Sequence, residues 1–143
     1  MPCNDVTERI EVVVDARDRL VSYTLRKRAC GRAVGDEALL ESTLAGKTLE
    51  EIAAITPDNL IDETHPTTQA DAFLVLKHLF AVQAACAVTS GAAPGGPRDI
   101  CAAAEITHAE GDTRLTGLIR VDVVHNEIKA CTPCGRCPRP SCS

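Results

Sequence analysis

Aromatic side chains are almost missing from this sequence: two Phe, one Tyr and no Trp among 143 residues. That scarcity argues against base-stacking platforms and aromatic-lined carbohydrate sites, and it leaves the core to Ala, Val, Leu and Ile. Basic runs are missing beyond Arg26-Lys27-Arg28, and the formal charge is −5, so a nucleic-acid partner is not expected. No apolar signal segment opens the chain, and no apolar run is read as approaching a membrane span. The expectation is a cytoplasmic protein without a membrane partner. With 45% hydrophobic and 24% charged residues, the composition is that of one ordinary folded domain with a small appendage.

Cysteine, by contrast, is abundant, with eight residues. Disulfides are disfavoured in the cytoplasm, so clustered cysteines there point to metal binding or redox chemistry. Cys3 and Asp5 are two apart, and an extended segment turns such a pair to one side. Ile10, Val12 and Val14 alternate with Arg9, Glu11 and Asp15. After the turn Ala16-Arg-Asp-Arg19, Val21, Tyr23 and Leu25 alternate with Ser22, Thr24 and Arg26. This period of two predicts a hairpin with one buried face, which returns the chain and brings Cys30 near Cys3. Cys30 is read as the junction between the second strand and a helix over 31–45. Unpaired N–H groups at a helix start favour thiolate over thiol.

Further on, Gly46 supplies a stop and Thr48-Leu-Glu-Glu51 reads as a capping box. Thr56-Pro57 opens a short helix. Thr67 or Thr68 caps a long apolar helix to about Val88, expected to lie centrally against the sheet. Residues 91–97 are a linker by composition. A short helix is predicted over 98–109 and a third strand over 115–124. The expected division is a domain over 1–90, the linker, and a Cys-rich extension over 98–143.

The ordered set Pro-Cys3-Asn-Asp5-Val, hairpin, Ala-Cys30-Gly, Gly46-Lys-Thr-Leu-Glu-Glu-Ile52 and Thr-Pro-Asp-Asn-Leu60 resembles the iron–sulfur cluster assembly scaffolds, the IscU and N-terminal NifU family. The resemblance covers about residues 2–90. It implies an α+β fold, a small antiparallel sheet with helices packed on one face. It also implies cluster-binding thiolates at Cys3 and Cys30, with Asp5 as the carboxylate that tunes cluster retention. The cofactor implied is a 2Fe-2S or 4Fe-4S cluster. The partners implied are a cysteine desulfurase as sulfur donor and apo acceptor proteins, with a homodimer as one assembly to test. The sequence departs from the family at the third cysteine, where Asp71, Ala72 and Phe73 stand, and at the chaperone-recognition segment, here Thr64-His-Pro-Thr-Thr68. Asp71 or the tail is the candidate to supply the missing ligand.

That tail, Cys131-x2-Cys134-x2-Cys137-x4-Cys142, packs four thiols into twelve residues. The first three follow a ferredoxin-like spacing, and zinc accepts such a set equally well. A zinc-binding structural or regulatory relative of the scaffold is therefore the second reading. The third is a zinc hydrolase, since Cys101-x3-Glu105 with Pro133-Cys134-x2-Cys137 resembles the cytidine deaminases. Its Glu, however, falls four residues after the first ligand where that family has two. Cys86 and Cys101 otherwise read as core residues, and the four histidines receive no role.

Overall fold

The computed structural model describes residues 6–29, 32–34, 38–93, 95–96 and 100–119. The predicted hairpin is β1 (Val6–Val14) and β2 (Leu20–Ala29), paired from Val6↔Ala29 to Val14↔Leu20. Asp15 closes its turn by accepting the Arg17 and Arg19 backbone N–H groups at 2.9 and 3.0 Å. Ile10, Val12, Val14, Tyr23 and Leu25 are buried as the alternation predicted. Val21 is not: a register shift between Val13 and Val14 puts Leu20 opposite Val14 and leaves Val21 47% exposed. One residue of bulge moves a side chain to the other face.

The helix predicted over 31–45 is corrected. Residues 32–34 form β3 (Arg32–Val34), antiparallel to β2, and among the described residues of this stretch only α1 (Glu41–Leu44) is helical. Edge pairing to β2 outweighs a weak helical pattern flanked by Gly31 and Gly35. Gly46 follows α1 at φ +85°, a conformation glycine adopts without strain. Next come α2 (Leu49–Ala53), α3 (Pro57–Thr64) and α4 (Gln69–Thr89). Their caps are the predicted ones: the Thr48/Glu51 capping box, Thr56 with Pro57 at the first position, and Thr68.

The helix predicted over 98–109 is also corrected. This segment is β4 (Cys101–Ala109), paired with β5 (Asp112–Ile119) through a two-residue turn. Glu110 and Gly111 both have positive φ, 55° and 84°, the turn whose twist matches a hairpin. The run of alanines favours a helix locally, yet the open edge of β5 takes it as a strand. β5 pairs antiparallel with β1, giving a five-stranded antiparallel sheet in the order β3-β2-β1-β5-β4. The fold is α+β. The buried sheet residues share the face against which α4 packs, while Arg9, Arg26 and Leu118 occupy exposed positions on the other.

Helix α4 is the centre of the core and contacts β1, β2, β4, β5, α2 and α3. It corrects one expectation: by length and composition it could cross a membrane, and half of its most apolar stretch is buried inside the protein. A helix apolar on nearly every side buries similar area in several rotations, so its polar anchors choose among them. Lys77 pairs with Glu8, His78 meets the Tyr23 hydroxyl at 2.9 Å, and the Gln83 amide donates to the carbonyls of Ile52 and Ile55 at 3.0 and 2.9 Å.

Candidate functional site

The register defines one end of the sheet. Val6, the first residue of β1, lies opposite Ala29, the last of β2, and on the other side Arg9 lies opposite Leu118, next to the end of β5. The chain therefore enters β1, leaves β2 and leaves β5 at the same end. Cys3 and Asp5 precede Val6, Cys30 follows Ala29, and the segment bearing Cys131, Cys134, Cys137 and Cys142 follows Ile119. All seven of these predicted ligands lie outside the described residues. Chain reach alone keeps Cys3 within ~11 Å of Val6.

The helix-start argument for Cys30 does not hold. Its described neighbours Ala29 and Arg32 are paired across β2 and β3, so no helix dipole begins there. What β1 does bring to this end is a buried charge. Glu8 shares the inward parity of Ile10 and Val12, and Lys77 reaches it from α4. Glu8 is 2% exposed and Lys77 4%. The contact is an ion pair only: neither Glu8 carboxylate oxygen has a directed hydrogen bond among the described residues.

The next residue of α4, His78, belongs to a second buried polar group. The Leu40 N–H donates to the Tyr23 hydroxyl at 2.6 Å, and Tyr23 and His78 Nδ1 are 2.9 Å apart. The Tyr23 hydroxyl thus links the backbone before α1 to the His78 ring on α4. The rings meet edge to face at 5.9 Å. Neither pair was expected from the sequence. The signal was present in parity: Glu8 is in step with Ile10, Val12 and Val14, and Lys77-His78 interrupts the run from Phe73 to Val82.

The remaining candidates separate. Asp71 is exposed in the first turn of α4, where its carboxylate accepts from the Thr67 hydroxyl at 3.2 Å. Cys86 on α4 and Cys101 on β4 are both buried. Burial, and secondarily the neighbouring Cys101, push the Cys86 thiol up to about 12, which makes it a poor nucleophile at neutral pH. Cys101 lies opposite Ile119 on the inner face, whereas Glu105, beyond a register shift, lies opposite Thr116 and is exposed. The two groups of the deaminase-like reading do not converge. A cleft of about 440 Å³ bordered by Arg17, Asp18, Thr48 and Glu50 lies at the hairpin-turn end, away from Val6 and Ala29. Among the described residues no three His, Cys, Asp or Glu side chains come together as a metal-binding group. No protein-family model, no curated protein and no solved structure matches this chain.

Proposed function

We propose that the protein holds an iron–sulfur cluster as cargo at the end of the sheet where β1 starts and β2 and β5 stop, and passes it to apo acceptor proteins. Cys3 and Cys30 are the proposed thiolate ligands and Asp5 the carboxylate one. In donor type the set suits an iron–sulfur centre: soft sulfur with one oxygen ligand. The observation that supports the reading is the pairing of Val6 with Ala29, since Cys3 stands three residues before the one and Cys30 one residue after the other. An incompletely coordinated cluster exchanges readily, which suits a carrier, and a cytoplasmic cysteine desulfurase is the proposed sulfur donor.

Anaerobic purification with metal, sulfide and visible-absorption analysis tests this. Iron with acid-labile sulfide, lost on Cys30→Ala, is the expected result. Stoichiometric zinc without sulfide, indifferent to Cys30→Ala and lost on Cys134→Ala, would replace the carrier by the zinc-binding reading.

A further inference from the structure

The two edges of the sheet are not alike. At one edge β3 is three residues long, and so short a strand offers little to pair with. At the other, β4 runs from Cys101 to Ala109 without a proline, lysine or arginine, residues that guard open edges. Among the described residues no strand pairs with its outer side. The register shift between Ala103 and Glu105 leaves Glu105–Ala109 as a regular stretch. Every side chain of that stretch is exposed, Ile106 by 46%. The turn fixes where the backbone groups point. Ala109 and Asp112 flank a two-residue turn, and such a closing pair exchanges both its hydrogen bonds. Bonded pairs alternate along an antiparallel ladder. Thr107, opposite Arg114, therefore bonds inward to β5, and Ile106 and His108 turn their N–H and C=O groups outward.

We infer that the protein self-associates through β4, with the Glu105–Ala109 stretches of two copies pairing antiparallel about a two-fold axis at Thr107, so that one sheet runs through both. The stretch is complementary to itself in this register. Ile106 meets His108 of the second copy, and His108 meets its Ile106, which are the residues whose backbone groups face outward. Thr107 meets Thr107, and Glu105 meets Ala109, so no like charges stand opposite each other. The Ile106 side chain, exposed in one copy, is covered by the His108 ring of the other. One short strand from each copy makes a small contact, of the transient class that buries less than about 1,200 Å² in total. The thiolate site proposed above plays no part in it.

Sedimentation velocity of the full chain tests this over roughly 1 μM to 1 mM, the range of weak affinities. Reductant and chelator are present throughout, so that neither a disulfide nor a metal bridges two copies. A monomer–dimer equilibrium is expected. His108→Pro removes an outward N–H twice per dimer and no bond of the β4–β5 ladder, and it should weaken the dimer more than about tenfold. His108→Ala keeps that N–H and should weaken it less. Should His108→Pro fail to fold, hydrogen exchange of the parent decides: the Ile106 and His108 amides are expected to slow as concentration rises, and the Thr107 amide to stay unchanged. A chain that is monomeric at the highest concentration overturns the inference, as does a dimer indifferent to His108→Pro. Protection of the Ile106 and His108 amides that does not vary with concentration overturns it too, and would assign the edge to another segment of this chain.

Discussion

The two ends of the sheet are built differently. At the turn end, short local hydrogen bonds close everything. Asp15 holds the β1–β2 turn, Leu20 N–H donates to the Lys47 carbonyl at 2.9 Å and Gly46 N–H to the Leu20 carbonyl at 2.8 Å, and Thr48 and Glu51 satisfy each other's backbone. Gly111 of the β4–β5 turn packs near Ala16 of the first turn. At the other end, the described strands finish side by side, and a glutamate of β1 and a lysine of α4 meet enclosed between the layers. The turn end combines turn and cap hydrogen bonds between close neighbours with backbone links from Leu20 to residues 46–47, and its charged side chains lie at the surface. The other end joins residues 69 apart in Glu8 and Lys77 and keeps their charges out of water. Charge is spread over surface groups at the first and concentrated in one enclosed pair at the second.

The largest expected effect follows from that concentration. Lys77→Met leaves the Glu8 carboxylate buried without a counter-charge, a loss of about 3–5 kcal/mol. E8Q/K77M, which removes both charges, should recover most of it. Urea unfolding of the three proteins measures this directly. A single variant within about 1 kcal/mol of the parent would show the pair to be as dispensable as a surface bridge such as Arg114–Glu11, 3.6 Å apart and exposed.

A smaller effect lies on the inner face between the two ends. Gly117 stands opposite Ile10, and a Cβ there would come within 2.8 Å of both the Cys101 Sγ and the Ala102 carbonyl oxygen. Gly117→Ala should cost about 1–3 kcal/mol through this overpacking. Adding Cys101→Ala should return only part, because the carbonyl cannot move aside without disturbing β4. Full recovery in thermal unfolding would place the whole conflict on the sulfur.

How much of this could be read in advance follows the same division. The turn end was legible because its chemistry is local: a threonine three residues before a glutamate, a threonine before a proline, a period of two in Ile10, Val12 and Val14. The β4 strand was not, since Cys101-Ala-Ala-Ala has helical propensity and only the free edge of β5 overrides it. β3 was missed for the same reason at the edge of β2. Glu8 and Lys77 are individually ordinary; their meeting depends on the rotation of α4, which its nearly uniform apolar surface does not encode. Cys3, Asp5 and Cys30 could be named from the motif set and its resemblance and lie outside the described residues; what the fold adds is that Val6, which follows Asp5, pairs with Ala29, which precedes Cys30.

The smallest effect belongs to the turn end and gives the comparison its sharpest control. Backbone N–H groups of Arg19 and then Arg17 hold the Asp15 carboxyl below its ordinary range, and the Thr48 backbone N–H does the same for Glu51. In each case the folded protein prefers the ionised form more than the unfolded chain does. On acidification the unfolded chain therefore takes up the proton first. The stabilisation is fully present above the ordinary carboxyl pKa of ~4, and it is lost as the pH falls through the lower folded values. The melting temperature should drop below about pH 4, and Asp15→Asn with Glu51→Gln should flatten that limb. The leading cause is hydrogen bonding and not distant charge, so 0.5 M salt, which cuts the Debye length to roughly 4 Å, should leave the slope nearly intact. A slope that disappears in salt would mean that the turn end, too, is held by charge, and the contrast between the two ends would not stand.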